Sequence, residues 1–322
     1  MINKYSYRKT ASITDFIVQI NTYRELFEKI PKLPQIQENL LRCSTLRSAL
    51  FSSRIEGNTL ELSEVESGFS KTKEKKEVFQ VLNGLKFVRS YQGEAKKEFI
   101  YEAHEIVMDG LTTELGRFRS EPSAIFNNAG NAVYIPPLPN KIPELMFEFF
   151  KFINEINVDI VSVPIAHFAI EKIHPFLDGN GRVGRILMNW HLKRLGYGFA
   201  GLITFEEYLE NNRDKYYSSL ETEGTDITEF AEFILKAISE SAQKVLLELK
   251  NTEDAKPEDT LMPRRAEILL IVREQRMVSF DQIKRRFLAV NTRTIHYDLQ
   301  YLLSKKLIQK LGATRGVVYV PK

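Results

Sequence analysis

The chain reads as a mainly α protein, with one small β-hairpin among its helices and a separate C-terminal module of three helices and a hairpin. Three observations predict this. Apolar residues recur at helical spacing through most of the body. Residues 118–140 break that spacing with prolines, a glycine and asparagines. The charge balance changes abruptly near residue 262.

Taken in order, Leu40, Leu41, Leu46, Leu50, Phe51 and Ile55 lie on one helical face, and Gly57-Asn58 stops that helix. Ser63 and Glu66 have the spacing of a capping box opening the next one. Further helices are expected at about 74–91, 96–112, 141–156 and 160–173, then from Gly181 to just before Gly196, and at about 204–221 and 226–250. Between Phe118 and Asn140 stand Pro122, Asn127, Asn128, Gly130, Asn131, Pro136, Pro137 and Pro139. Residues 128–131 suit a turn, and Ala132-Val133-Tyr134-Ile135 has strand character. A hairpin is the reading here, with a plain surface loop as the alternative.

Residues 250–260, KNTEDAKPEDT, lack a large apolar side chain and read as a linker. Helices follow at about 263–275, from Ser279 to about Phe287, and from Asn291 or Thr292 to about Leu303. Gly312 and Gly316 bracket a turn before Val317-Val318-Tyr319-Val320. Three helices and a hairpin make a winged-helix pattern. The expected divisions are an N-terminal helical region at 1–94, a core at 95–249, a linker at 250–261 and the module at 262–322.

Composition narrows the function. A chain of 322 residues can hold two or three cores, and 43% hydrophobic with 27% charged residues excludes disordered and fibrous classes. The single cysteine, Cys43, excludes an internal disulfide and a cysteine-rich zinc module, and its leucine-rich setting reads as core. MINKYSYRKT has no apolar signal core, and no run reaches the roughly 18 apolar residues of a membrane span. The cytoplasm is therefore expected, with no membrane partner. From Met262 to Lys322 there are 13 Lys or Arg against 4 Asp or Glu, a balance of +9 in a chain whose net charge is +3. A basic module on a mildly acidic body attracts polyanions, nucleic acid first.

The densest chemistry lies in His174-Pro175-Phe176-Leu177-Asp178-Gly179-Asn180-Gly181-Arg182-Val183-Gly184-Arg185. His174 is a base near neutral pH. Asp178 is a hard oxygen ligand suited to magnesium. Gly179, Asn180 and Gly181 let successive N–H groups face one anion where a helix begins. Arg182 and Arg185 lie one turn apart and can reach phosphate oxygens. Base, metal ligand, anion nest and two guanidinium groups describe a site for a metal-bound polyphosphate. The literal G-x-G-x-x-G of Gly179, Gly181 and Gly184 lacks the preceding strand of a dinucleotide fold. A Walker loop is absent from the sequence. His167 and His174 lack a third ligand for zinc, and His167 reads as a core histidine.

The twelve residues resemble the signature of Fic-domain proteins, H-x-F-x-[DE]-G-N-G-R-x-x-R, at every fixed position. The resemblance extends over roughly 95–235, including Gly116-Arg117-Phe118-Arg119 and Tyr134-Ile135-Pro136-Pro137. It implies a Fic-type helical core and transfer of AMP from ATP to a target protein's hydroxyl. It also implies roles: His174 as general base, Phe176 as the loop's core anchor, and Asp178 as holder of Mg2+. Asn180 and the amides of Gly179 and Gly181 would position the α-phosphate, with Arg182 and Arg185 on the β- and γ-phosphates. Val133, Tyr134 and Ile135 would form a flap on which the target docks as an added strand. Tyr216 and Tyr217 fall where the family often lines the adenine pocket; core packing is the alternative for both.

Ser52-Ser53-Arg54-Ile55-Glu56-Gly57 resembles a second family motif, [ST]-x-x-x-E-[GN], of an inhibitory helix placed N-terminal in the same chain. By that resemblance Glu56, with Ser52, pairs with Arg185 and blocks the γ-phosphate site. An autoinhibited protein adenylyltransferase is expected, with self-modification and homodimer formation compatible with the family. An alternative on the same fold is removal of AMP. Another is a DNA-binding regulator whose Fic domain senses nucleotide. The segment from Asn291 to Leu299 resembles a DeoR-like recognition helix. Thr292, Arg293, Thr294 and His296 would face a DNA groove, Ile295, Leu299, Leu302 and Leu303 the core, and Lys305, Lys306, Lys310 and Arg315 the wing. Dimerisation or target docking are the alternatives for this module.

Overall fold

A computed structural model of the chain describes residues 4–29, 34–66, 72–126, 132–155, 158–222, 224–253, 261–288, 290–312 and 316–322. The expected turn at 128–131, most of the expected linker and Arg315 lie outside the described residues. Two compact units emerge: residues 1–31, 44–60 and 72–246 form one, and residues 32–43, 61–71 and 247–322 the other.

The described elements begin with α1 (Ala11–Lys29), α2 (Pro34–Ile55), α3 (Leu62–Glu66), α4 (Lys73–Ser90) and α5 (Lys97–Met108). Helix α1 is absent from the sequence reading, although Ile13 and Ile20, two turns apart, are both fully buried. Helix α3 starts at Leu62, so Ser63 lies inside it rather than capping it. The Glu61 N–H instead donates to the Glu64 carboxylate, 2.8 Å away.

Strands β1 (Ile125–Phe126) and β2 (Ala132–Tyr134) follow and pair antiparallel, with Ile125 opposite Tyr134. Next come α6 (Ile142–Ile153), α7 (Ser162–Ile173), α8 (Asn180–Arg194), α9 (Phe205–Asn211), α10 (Arg213–Leu220) and α11 (Thr228–Glu253). The single helix expected at 204–221 is broken at Asn212, whose φ of −124° is not helical. Helix α11 runs past Lys250, where the linker was expected to begin.

In the first unit α8 lies against α4, α5 and α7, and α7 also against α6. Phe99, Phe149, Phe168, Val183 and Ile186 fill the space between them and are almost completely buried. Burial on this scale, at about 25 cal/mol per Å2 of apolar surface, dominates the stability of such a bundle. It makes α7 and α8 rigid supports for the segment that joins them.

The second unit contains α12 (Pro263–Gln275), β3 (Val278–Ser279), α13 (Phe280–Arg286), α14 (Thr292–Ser304), β4 (Ile308–Leu311) and β5 (Val318–Pro321). The three strands form an antiparallel sheet in the order β3-β5-β4. Ser279 and Gln282 form a reciprocal capping box on α13, and Asn291 caps α14 through its Oδ1 and the Arg293 N–H, 2.9 Å. Ile268, Val272, Ile283, Ile295, Leu299 and Leu302 build the core, with Leu303 partly buried at its edge. Asp298, nearly buried, holds α12 to α14 by accepting from Arg264 Nε (2.6 Å) and Arg265 Nε (2.8 Å).

Candidate active site

The segment from His174 to Gly179 joins two buried helices, and its shape is over-determined. His174 ends α7 in the left-handed region (φ 49°, ψ 60°). A non-glycine residue there is strained and marks a position held by its surroundings. Three groups hold it. Arg119 donates from Nε to the His174 carbonyl (2.8 Å) and from Nη2 to the Pro137 carbonyl (2.5 Å), while its backbone N–H reaches the Pro175 carbonyl (2.9 Å). Asn180 accepts the Phe176 N–H and donates to the Phe176 carbonyl, both at 2.8 Å. Phe176, 1% exposed, stacks on the His104 ring with centroids 4.0 Å apart.

His104 escaped the sequence reading. The Gly116 N–H donates to its Nδ1 (3.1 Å), so the proton sits on Nε2, which donates to the Asp178 carbonyl (3.1 Å). Burial lowers its pKa and keeps it neutral. Only its place at the same point of the fold as Phe176, 72 residues later, reveals it.

Asn180, expected with Gly179 and Gly181 to position the α-phosphate, is 3% exposed, and its side-chain amide is bonded to Phe176. At this end of α8 backbone N–H groups are also left open. The first intrahelical bond runs from the Val183 N–H to the Gly179 carbonyl, so the N–H groups of Asn180, Gly181 and Arg182 have no helical partner. Gly179 itself turns with φ 80°.

Asp178 accepts from the Gly179 N–H (2.6 Å) and from Arg182 Nη2 (3.3 Å), and its side chain is 61% exposed. Arg182 Nε is buried without a partner among the described residues, a donor that an anion would satisfy. No group of three or more His, Cys, Asp or Glu suited to a metal occurs among the described residues. One open carboxylate beside an anion site nevertheless fits magnesium, which takes one or two carboxylates and completes its shell with phosphates and water.

Arg185, 1% exposed, reaches back to α2. Its Nε donates to Ser52 Oγ (2.9 Å), and its Nη2 to the Ser52 carbonyl (2.9 Å) and to Glu56 Oε1 (2.7 Å). Burial alone would raise the Glu56 carboxyl; Arg185, with Arg182 and Arg213 behind it, brings it below the usual range.

These groups meet at a cavity of about 490 Å3. Glu56, His174, Gly181 and Arg185 border it, with Val133 and Tyr134 from β2 and with Tyr216 and Tyr217 from α10. Burial lowers His174 to about 4, helped by Arg119, so the ring is neutral at pH 7 and its Nδ1 has no partner among the described residues. Tyr134 donates from its hydroxyl to the Lys172 carbonyl (2.9 Å), fixing β2 to the end of α7. Ile135 lies one residue past β2 and is exposed. Tyr216 is buried with its hydroxyl 2.8 Å from His167 Nε2, so its polar end is spent within the protein. Tyr217 donates to the Ile55 carbonyl (3.2 Å) and thereby touches the end of α2.

In the second unit Thr292 and Arg293 are exposed at the start of α14 and Thr294 is half-buried. His296, expected on the groove face, is exposed and stacks on Phe280 at 4.1 Å and 7°. Tyr297, next to it, is also exposed, with Arg293 5.9 Å above its ring.

Residues 94–192 match the Fic/DOC family. A "Probable protein adenylyltransferase" of Aquifex aeolicus is 31% identical over 178 residues, 50% of this chain and 52% of that protein. Protein adenylyltransferase Fic of Drosophila erecta is 34% identical over 142 residues, 42% of this chain and 26% of that one. The chain thus spans about half or less of the length of these relatives. Among solved structures, a Fic family protein of Desulfovibrio desulfuricans superposes with a TM-score of 0.67 over 99% of this chain and 98% of its own, at 21% identity. The Fic-1 fragment of Caenorhabditis elegans gives 0.64 over 74% and 73%, at 23% identity. The fold is that of Fic proteins. No helix among the described residues is long and apolar enough to cross a membrane.

Proposed function

We propose that the chain is an autoinhibited protein adenylyltransferase. It moves AMP from ATP to a Ser, Thr or Tyr hydroxyl of a target protein, itself included, and releases pyrophosphate. The observation that carries this reading is the convergence of a neutral His174, the start of α8, Arg185 and the strand β2 on one cavity of about 490 Å3. That volume falls within the roughly 300–1,000 Å3 of small-molecule sites.

His174 accepts the proton of the target hydroxyl as its oxygen attacks the α-phosphorus, and the bond to the β-phosphate bridging oxygen breaks. A base already neutral at pH 7 needs no deprotonation first. The free N–H groups at the start of α8 and the buried Arg182 Nε orient the phosphate chain. Asp178 would hold magnesium, which would supply positive charge against the phosphates. Strand β2 holds the target segment as an added strand, so the acceptor hydroxyl lies beside His174.

Glu56 is the brake. It occupies a donor of Arg185 that a phosphate would use and adds negative charge beside it. The test is incubation of Glu56→Gly with each of the four nucleoside triphosphates and magnesium, followed by mass spectrometry of hydroxyl side chains. An adenylyl adduct from ATP supports the reading. Adducts from another nucleotide alone, or bare phosphoryl groups, overturn the donor assignment.

We infer a separable role for the C-terminal module: a winged helix that binds duplex nucleic acid. Its balance of +9 supports this, as do the exposed Thr292, Arg293 and Tyr297 at the start of α14.

A further inference from the structure

A second carboxyl group, that of Glu171, borders the same cavity as Arg185. Gly181 and Gly184 lie one turn apart on α8, and each leaves a notch where a side chain would otherwise stand. A Cβ on Gly181 would come within 2.5 Å of Glu56 Oε1, and a Cβ on Gly184 would overlap Glu171 Oε1. Each notch holds one carboxyl, and Arg185 follows directly on the same helix.

The two carboxyls differ in their partners. Glu56 is paired with Arg185 at 2.7 Å. Glu171 Oε1 is buried with no hydrogen-bond partner among the described residues. His167 Nδ1 lies 3.9 Å away and is likewise unpartnered, its Nε2 being taken by Tyr216. Glu171 borders the same cavity as Glu56 and Arg185.

The groups around Glu171 come from four helices and one helix end: His167 from its own α7 and His174 just past it, Glu56 from α2, Arg185 from α8, and Tyr216 and Tyr217 from α10. Among them Arg185 is the one standing cation, since burial keeps both histidines neutral. Burial pushes the Glu171 carboxyl up to about 7; Arg185 pulls against the rise and Glu56 adds to it. While Arg185 is engaged with Glu56, Glu171 therefore keeps its proton below neutral pH and gives it up as pH rises through neutrality.

We propose that Glu171 is a positioning residue that shares Arg185 with Glu56, so that a proton on Glu171 fastens the Glu56 pair and loss of that proton loosens it. The proposal rests on the reading of Glu56 as a brake and names what sets its strength. Withdrawal of Glu56 removes a negative neighbour and frees a guanidinium. Both changes favour ionised Glu171. The withdrawn state thus binds fewer protons than the paired state, and rising pH through neutrality shifts the population towards it. Glu171 then supplies the counter-charge that a buried guanidinium requires.

The first arm of the test needs no activity and no change at Glu171. The Glu171 carboxyl carbon is titrated by NMR in the full chain, unmodified and as Glu56→Gly. The expected midpoint is near neutrality in the unmodified protein and at least about one unit lower in the variant. A midpoint in the ordinary carboxylate range in the unmodified protein, or an equal midpoint in both, overturns the proposal.

The second arm compares AMP-transfer rates of the unmodified chain and Glu56→Gly from about pH 6 to about pH 8. The ratio of unmodified to variant should rise several-fold with pH, and the rise should vanish when both carry Glu171→Gln. An equal rise with Glu171→Gln overturns the proposal. If Glu56→Gly is no faster than the unmodified chain at any pH, the brake reading fails, whereas the titration still decides whether Glu171 and Glu56 share the guanidinium.

Discussion

One nitrogen of Arg185 serves two groups: Nη2 donates to Glu56 Oε1 at 2.7 Å and to the Ser52 carbonyl at 2.9 Å. The last turn of α2 is therefore held to α8 through its backbone as well as through a carboxylate. Arg185→Ala leaves Glu56 without its cation and strips both Ser52 acceptors of a donor in a buried place. We expect a loss of about 3–5 kcal/mol in stability, measured by urea denaturation of purified protein. A loss below about 1 kcal/mol would mean that α2 is seated by its apolar contacts alone.

The loop after His174 should fail as a unit. Asn180→Ala removes two hydrogen bonds of 2.8 Å to Phe176 and leaves a buried N–H and a buried carbonyl unsatisfied. The expected cost is about 2–4 kcal/mol. His104→Ala removes the stack on Phe176 and the partners of Gly116 and Asp178, with a similar cost. In the Glu56→Gly background both changes should lower the transfer rate more than 10-fold at saturating ATP, since a displacement of about 1 Å at the base costs about that much or more. Unchanged rates in either variant would show that the loop is held without them.

Histidine burial sets two pH dependences. His174 is lowered to about 4, so its base form is present above that value and is lost as pH falls through it. The rate of Glu56→Gly should therefore show no limb from His174 near pH 6.5, which steady-state rates across the acid range can check. His167 and His191 are each lowered to about 3. The unfolded chain takes up these protons near pH 6.5 while the folded chain resists, so folded stability falls as pH drops below about 6.5. Denaturation midpoints at about pH 7 and about pH 5 should differ in that direction.

The C-terminal module should bind duplex DNA with strong salt dependence. Arg293→Ala and Lys310→Ala should each reduce the slope of log affinity against log salt by about 1. Binding that ignores salt, or none in low salt, would remove the nucleic-acid role.

Much of this was legible in the sequence because the signals are local. The apolar spacing of α4, α7, α8 and α12 fixes those helices within a few residues, and the twelve residues from His174 to Arg185 sit in one chain segment. Contacts set only by tertiary packing stayed hidden. Nothing near Asn180 says that its amide turns inward to Phe176, and nothing near His104 says that it stacks there. Glu171 looks like one more charged residue on a helix until Gly184 is seen to open a space for it.

The most direct test is transfer of label from α-labelled ATP, with magnesium, by three forms of the chain: unmodified, Glu56→Gly, and Glu56→Gly with His174→Ala. Label is expected on the protein or on a lysate protein with Glu56→Gly, little with the unmodified chain and none with the double variant. Equal labelling by the unmodified chain and Glu56→Gly would contradict the brake, and undiminished labelling by the double variant would contradict the base.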